Sequence, residues 1–208
     1  MQDIKIIAHR GYWKAESEKN TMIALERAVN AGFGFETDLR DYGGKLVISH
    51  NPPKGNEITV ESVLGMYSQK CSNAPLALNI KADGLQAMAK ELLDKYGIDN
   101  YFFFDMSICD TLPYISQQLK IASRCSEFEL EMPFYKDSTI VWVDFFADDS
   151  LGIAETERIL RDGKAACVVS PELHGRDHSN IWSQLKGMDH SNLYLCTDYP
   201  EEADKYFK

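Results

Sequence analysis

Nine short runs rich in β-branched and aromatic residues recur along the chain, and segments with helical apolar spacing separate most of them. The runs are IKIIAH (4–9), FGFETDL (33–39), KLVISH (45–50), LALNIK (76–81), YFFFD (101–105), KIASRC (120–125), TIVWVDFF (139–146), AACVVSPEL (165–173) and NLYLCTD (192–198). Helical spacing appears in NTMIALERAVNAG, opened by an Asn cap and closed by Gly, and in TVESVLGMYSQK, DGLQAMAKELLDKYG, AETERILRDG, NIWSQLKG and YPEEADKYF. Strands alternating with helices build a parallel sheet with helices on its faces, and such strands can be apolar on both sides. If 33–39 and 45–50 join as one hairpin around YGG, eight strand–helix units remain. Eight units in 208 residues predict a compact α/β (β/α)8 TIM barrel, one domain over 1–208, in a fold that typically takes about 250 residues. A doubly wound open sheet is the alternative, and no GxGxxG supports it.

Composition narrows the functional classes. Hydrophobic content of 44% and charged content of 26% are those of a soluble globular chain, which sets aside disorder and membrane classes. The formal charge of −10 argues against nucleic acid as a partner, because tracking phosphates requires a basic stripe. No run reaches the roughly 18 apolar residues of a spanning helix, and MQDIKII lacks the start of a secretory signal. The expected location is therefore cytoplasmic. No helix joins a strong apolar face to a basic one, so no stable membrane association is expected. Cys71, Cys109, Cys125, Cys167 and Cys196 form no CxxC pair and read as buried free thiols.

The strands end on polar residues. FETDLR places Glu36, Asp38 and Arg40 on one side of a strand, with the carboxylates about 7 Å apart at Cα. Two like charges that close are costly to bury unless a cation or proton compensates them, as an oxygen-ligated divalent metal would. Other strand ends carry His9, Arg10, His50, Asn79, Lys81, Asp105, Arg124, Asp144, Glu172, Thr197 and Asp198. In a barrel these ends converge on one rim, where such enzymes keep their active sites.

AHRG, NTMIALERAVNAGFGFETD and GGKLVISHN together resemble the core signature of the glycerophosphodiester phosphodiesterases, a branch of the phosphatidylinositol-phospholipase-C-like phosphodiesterases. YLCTDYPEEA is similar to that family's closing Thr-Asp-x-Pro segment. The resemblance implies His9 and His50 as an acid/base pair, Arg10 as a phosphate ligand, Glu36 and Asp38 as ligands of Mg2+ or Ca2+, and Lys81 at the family's strand-three lysine. Imidazoles titrate near neutral pH, so two of them can exchange proton-transfer roles during phosphodiester cleavage. In this family the attacker is typically the substrate's own neighbouring hydroxyl, which gives a cyclic phosphate.

Three positions depart from the family pattern. Asn79 stands where a third metal-binding Glu is usual, Asn51 replaces the Asp after His50, and Lys19 replaces the Glu before Asn-Thr. Asn79 offers a neutral carbonyl oxygen, with Asp83 or Asp105 as compensating carboxylates, and a metal-poor mechanism stays open. Glu172, His174 and Arg176 follow strand seven, where barrels often hold phosphate. Glu172 and Arg124 are therefore candidate substrate ligands, and Trp13 with Tyr12 is a candidate pocket wall. Trp142 and Trp182 read as packing residues, and His178 and His190 as solvated. The expected activity is metal-assisted cleavage of a small polyol phosphodiester. The alternatives are a lyase stopping at the cyclic phosphate and a non-catalytic barrel binding phosphate or sugar phosphates.

Overall fold

The computed structural model describes residues 4–70 and 72–208, and Cys71 lies outside them. The strands are β1 (Lys5–Ala8), β2 (Gly34–Tyr42), β3 (Lys45–Ile48), β4 (Leu76–Ile80), β5 (Tyr101–Phe104), β6 (Ala122–Cys125), β7 (Ile140–Val143), β8 (Ala165–Val169) and β9 (Leu193–Thr197). They pair in the order β5-β4-β2-β1-β9-β8-β7-β6, all parallel, and β3 lies antiparallel on β2. The ends of this path meet at a bridge between Phe103 and Ile121, and Phe103 N–H donates to the Lys120 carbonyl over 2.9 Å. Eight parallel strands thus form a nearly closed barrel, with the 33–50 hairpin counting as one unit as the sequence predicts.

Helices α1 (Met22–Asn30), α2 (Val60–Gln69), α3 (Gln86–Tyr96), α4 (Ile108–Ser116), α5 (Asp149–Arg161), α6 (Ser179–Lys186) and α7 (Pro200–Phe207) pack outside. Two depart from the sequence reading. The segment ICDTLPYIS carries Pro113 and several poor helix formers, so it gives no helical signal, yet it forms α4 with Ser107 accepting from Asp110 N–H as its cap. Helix α5 starts at Asp149, ahead of the apolar pattern, because Asp148 caps it by accepting from Leu151 N–H.

The barrel interior is layered by strand periodicity. Ile7, Ala77, Phe102, Ala122, Trp142, Cys167 and Cys196 face one another inside, and the Trp142 and Phe104 rings stack with centroids 4.0 Å apart. Two residues further along the same faces, toward the strand C-termini, the chemistry turns polar at His9, Asn79, Arg124, Asp144 and Asp198. Trp182 is buried too, as expected of a packing residue, whereas Cys109 is exposed, unlike the other described cysteines.

At the first strand end Gly11 has φ +87°, and an added Cβ would lie 2.7 Å from the carbonyl carbon of Ala24. The turn out of β1 therefore needs glycine on two counts, backbone conformation and close approach to α1. Gly11→Ala is expected to cost more than about 1 kcal/mol in backbone strain, with crowding adding about 1–3 kcal/mol. Urea unfolding measures the loss, and wild-type stability would refute it.

Candidate active site

At the C-terminal mouth, ion pairs run from strand to strand around the barrel. His9 Nδ1–H donates to Asp198 Oδ1 over 2.7 Å, and His9 Nε2 lies 4.0 Å from Glu36. Arg10 N–H donates to Glu36 over 3.1 Å, and its Nε sits 3.3 Å from Asp38. Lys81 Nζ is 3.5 Å from Asp38 and 4.0 Å from Asp105. Arg124 reaches Asp105 at 2.8 Å, Asp144 at 2.9 Å and Glu129 at 3.0 Å. His174 Nε2 and Asp144 Oδ1 are 2.7 Å apart. Glu172 closes the circuit by accepting from Asp198 N–H over 3.1 Å. Candidates from all eight parallel strands thus converge on one rim.

Backbone strain concentrates here. Arg10 (φ 55°), Asn20 (φ 60°) and Asp105 (φ 64°) are left-handed non-glycine residues, a conformation that persists only when the surroundings enforce it. The structure reassigns Asn20: Thr21 caps α1, and Asn20 instead turns inward. Its Nδ2–H donates to Asp38 over 2.8 Å, and its Oδ1 accepts from Thr37 Oγ1–H over 2.7 Å. Spacing alone could not separate these roles, because either residue type serves as a cap.

Burial governs the electrostatics of the carboxylate pair. Glu36 and Asp38 are 2% and 1% exposed. Burial pushes the Glu36 carboxyl well above the usual carboxylate range and the Asp38 charge adds to that push, against the opposing pull of Arg10 and Lys81. Asp198 behaves oppositely. Its burial acts upward, but the hydrogen bond from His9 and the charges of His9, Lys19 and Arg10 outweigh it and hold its pKa below the ordinary value.

The residues present suit a hard divalent cation only in part. Asp38 and Asn79 are paired in register on β2 and β4, and Asp38 Oδ1 and Asn79 Oδ1 are buried without a hydrogen bond. Two such oxygens beside Glu36 are the donor type that Mg2+ and Ca2+ take. Among the described residues, however, no group of three or more His, Cys, Asp or Glu side chains could hold a metal ion. Asp83 accepts from Ser107 and Asp105 is paired with Arg124 and Lys81, so the compensating carboxylates are otherwise engaged.

His50 is exposed, and its Nδ1 lies 3.1 Å from Asn51 Oδ1. Arg40 holds its loop by donating twice to the His50 carbonyl, at 3.2 and 3.1 Å. His50 and Arg10 line one hollow of about 440 Å³ together with Lys19 and Asn20. Trp13 donates from Nε1 to the His9 carbonyl and lies under Lys19 at 4.4 Å. With Tyr12 and Asp198 it lines a second hollow of about 500 Å³, which fits a pocket wall.

Glu172, a candidate substrate ligand in the sequence, is engaged within the protein. Its carboxylate is 6% exposed and accepts from Ser170 and Thr197 hydroxyls and Asp198 N–H, so it braces the His9–Asp198 pair. Arg124, expected to bind substrate, is already surrounded by three carboxylates. His178 and His190 are not free in solvent. His178 packs on Trp182 with ring centroids 4.0 Å apart, and His190 Nε2 donates to the Leu185 carbonyl. Sequence reasoning gave no pairing for Asp198, Asp144 and Asp105, whose partners lie on other strands.

An eight-stranded α/β barrel whose mouth carries paired histidines, arginines and carboxylates defines the class to which this chain belongs in structural terms. The chain has the fold of the glycerophosphodiester phosphodiesterases. It is similar to that enzyme from Agrobacterium tumefaciens, at 17% identity and a TM-score of 0.72, with 98% of each chain covered. A putative glycerophosphodiester phosphodiesterase from Galdieria sulphuraria matches at 16% identity and a TM-score of 0.75, over 100% of this chain and 99% of that one. An Oleispira antarctica phosphodiesterase, in complex with its product sn-glycerol-3-phosphate, matches at 16% and 0.70, over 98% and 96%. No protein-family model and no curated protein matches the chain. Among the described residues no helix is long and apolar enough to cross a membrane.

Proposed function

We propose that this chain is a divergent glycerophosphodiester phosphodiesterase that cleaves a small polyol phosphodiester. The observation that carries the reading is the His9–Asp198 pair set beside Glu36, Arg10 and Lys81 at the barrel mouth. Arg10 and Lys81 would exchange their carboxylate partners for the non-bridging phosphate oxygens, placing positive charge where negative charge builds up. His9, with Asp198 fixing its ring, takes the proton of the attacking hydroxyl. That oxygen bonds to phosphorus, the P–O bond to the leaving alcohol breaks with its electron pair, and His50, as the second proton-transfer group, would protonate the departing oxygen. If the attacker is the substrate's neighbouring hydroxyl, the first product is a cyclic phosphate. Glu36, Asp38 and Asn79 are the residues that would hold Mg2+ or Ca2+. Bound there, the cation would polarise a phosphoryl oxygen.

Glycerophosphodiesters and bis(p-nitrophenyl) phosphate, offered with Mg2+, with Ca2+ and with chelator, test the proposal. Phosphorus NMR follows any cyclic product. Turnover should require the divalent cation and fall in chelator, and unchanged activity in chelator would remove the metal role of Glu36 and Asp38. A non-catalytic phosphate-binding barrel is favoured by Asn79 alone, and it predicts phosphate binding without turnover. An accumulating cyclic product would assign a lyase.

A further inference from the structure

The hollow of about 440 Å³ beside His50 is cationic, in a chain of formal charge −10. Arg10, Lys19 and Lys54 line it against one carboxylate, Glu57. That carboxylate is spent on its own loop, where it accepts from Lys54 N–H over 2.6 Å and from Gly55 N–H over 2.8 Å. The other hollows at the mouth have the opposite balance. In one of about 330 Å³ beside Arg124, Asp105 and Glu129 outnumber the single cation, and in the one beside Trp13, Asp198, Glu201 and Glu202 outnumber Lys14 and Lys205. A cleft lined by charges of one sign focuses the field and concentrates ligands of the other sign, so the His50 hollow is built for an anion.

Lys19 is held at the rim from two directions. Asn20 N–H donates to the Arg10 carbonyl over 2.9 Å, which fixes the neighbouring backbone beside the His-Arg-Gly turn, and the Lys19 ammonium rests over the Trp13 ring at 4.4 Å. Its side chain is 18% exposed. Its carboxylate partners hold it loosely. Glu16, at 3.0 Å, is 76% exposed, so that ion pair is worth little, and Asp198, at 3.7 Å, has His9 closer at 2.7 Å. Lys54 Nζ has no ion pair among the described residues. Two of the three departures from the family pattern also fall here: Lys19 and Asn51 both line the hollow, and each stands where the pattern has a carboxylate.

Resting on the proposed phosphodiesterase reading, in which His50 protonates the departing oxygen and the leaving alcohol therefore lies beside it, we infer that this alcohol carries a second negative charge, a carboxylate or a phosphate, bound by Lys19 and Lys54. Arg10 and Lys81 are taken by the reacting phosphoryl group, so the hollow's two lysines remain for the second anion. The test offers three glycerophosphodiesters that differ only in the leaving alcohol: ethylene glycol, glycolate and ethylene glycol monophosphate. Wild type is expected to favour at least one charged ester over the neutral one by at least about tenfold in kcat/KM, the scale of one charge-assisted hydrogen bond, and the better of the two identifies the group. The advantage should shrink as salt is raised. Lys19→Gln and Lys54→Gln should each lower the charged-to-neutral ratio severalfold and together bring it near one. The ratio is the readout, because a general loss of activity cancels from it, and the exposed Lys54 carries the test if Lys19→Gln does not fold. A neutral ester cleaved as well as both charged ones would overturn the inference while leaving the phosphodiesterase reading intact. So would a preference that survives both substitutions. A wild-type protein that cleaves none of the three would instead overturn that reading, and the inference with it.

Discussion

Replacing His9 with alanine is expected to lower phosphodiester cleavage by at least about 100-fold, the usual scale for a positioned acid/base group. His9 is the histidine nearest the Glu36–Asp38 pair, and its ring is fixed by a partly buried carboxylate just after β9. Asp198→Asn should fall between wild type and His9→Ala, because it frees the ring without deleting it. Steady-state kinetics on a glycerophosphodiester measure both, and wild-type activity in His9→Ala would remove that residue from the mechanism. The same substitution should change acid stability. The Asp198 pKa is lower in the folded chain than in the unfolded one, so its stabilising contribution is present above the ordinary Asp range near 3.9 and disappears as pH falls through the depressed value. Without His9 the contribution shrinks, and unfolding measured between about pH 5 and 2 should show less dependence on pH.

Trp142→Ala is expected to cost about 3–5 kcal/mol, the range for emptying a buried aromatic site. Trp142 is 4% exposed, stacks on Phe104 and touches Phe102 inside the barrel, two residues before Asp144. The cavity would open directly beneath the charged rim, where backbone on all sides limits collapse. Chemical denaturation gives the magnitude, and a loss below about 1 kcal/mol would mean that the barrel interior refills around the gap. A leucine in its place should recover part of the stability.

How far the chain could be read in advance depended on whether the signal was local. Strands such as β5, β7 and β8 are visible because their apolar runs are continuous, and the polar residues ending the runs mark the mouth before any strand is paired. Helix α4 was hidden, because Pro113 breaks the local pattern while packing of Thr111 and Tyr114 against the barrel keeps the helix. Asn20 follows the same logic: next to Thr21, either residue type caps a helix, and only the position of Asp38 on a neighbouring strand decides which one turns inward. Glu172 finds partners at Thr197 and Asp198, which no local spacing announces. His174 and Asp144, thirty residues apart in sequence, carry no local mark of their pairing. What the sequence could not supply was the set of partners contributed by distant strands, and those partners decide whether a polar side chain binds, braces or transfers protons.

Along most of its circumference the barrel is laced by ladders several residues long, but β5 and β6 are joined by one bridge, at Phe103 and Ile121. The Arg124–Asp105 ion pair spans that same seam at the mouth. A guest gripping both side chains would act as a suture where the main chain has almost no stitches. Filling the mouth and keeping the cylinder shut then become a single equilibrium.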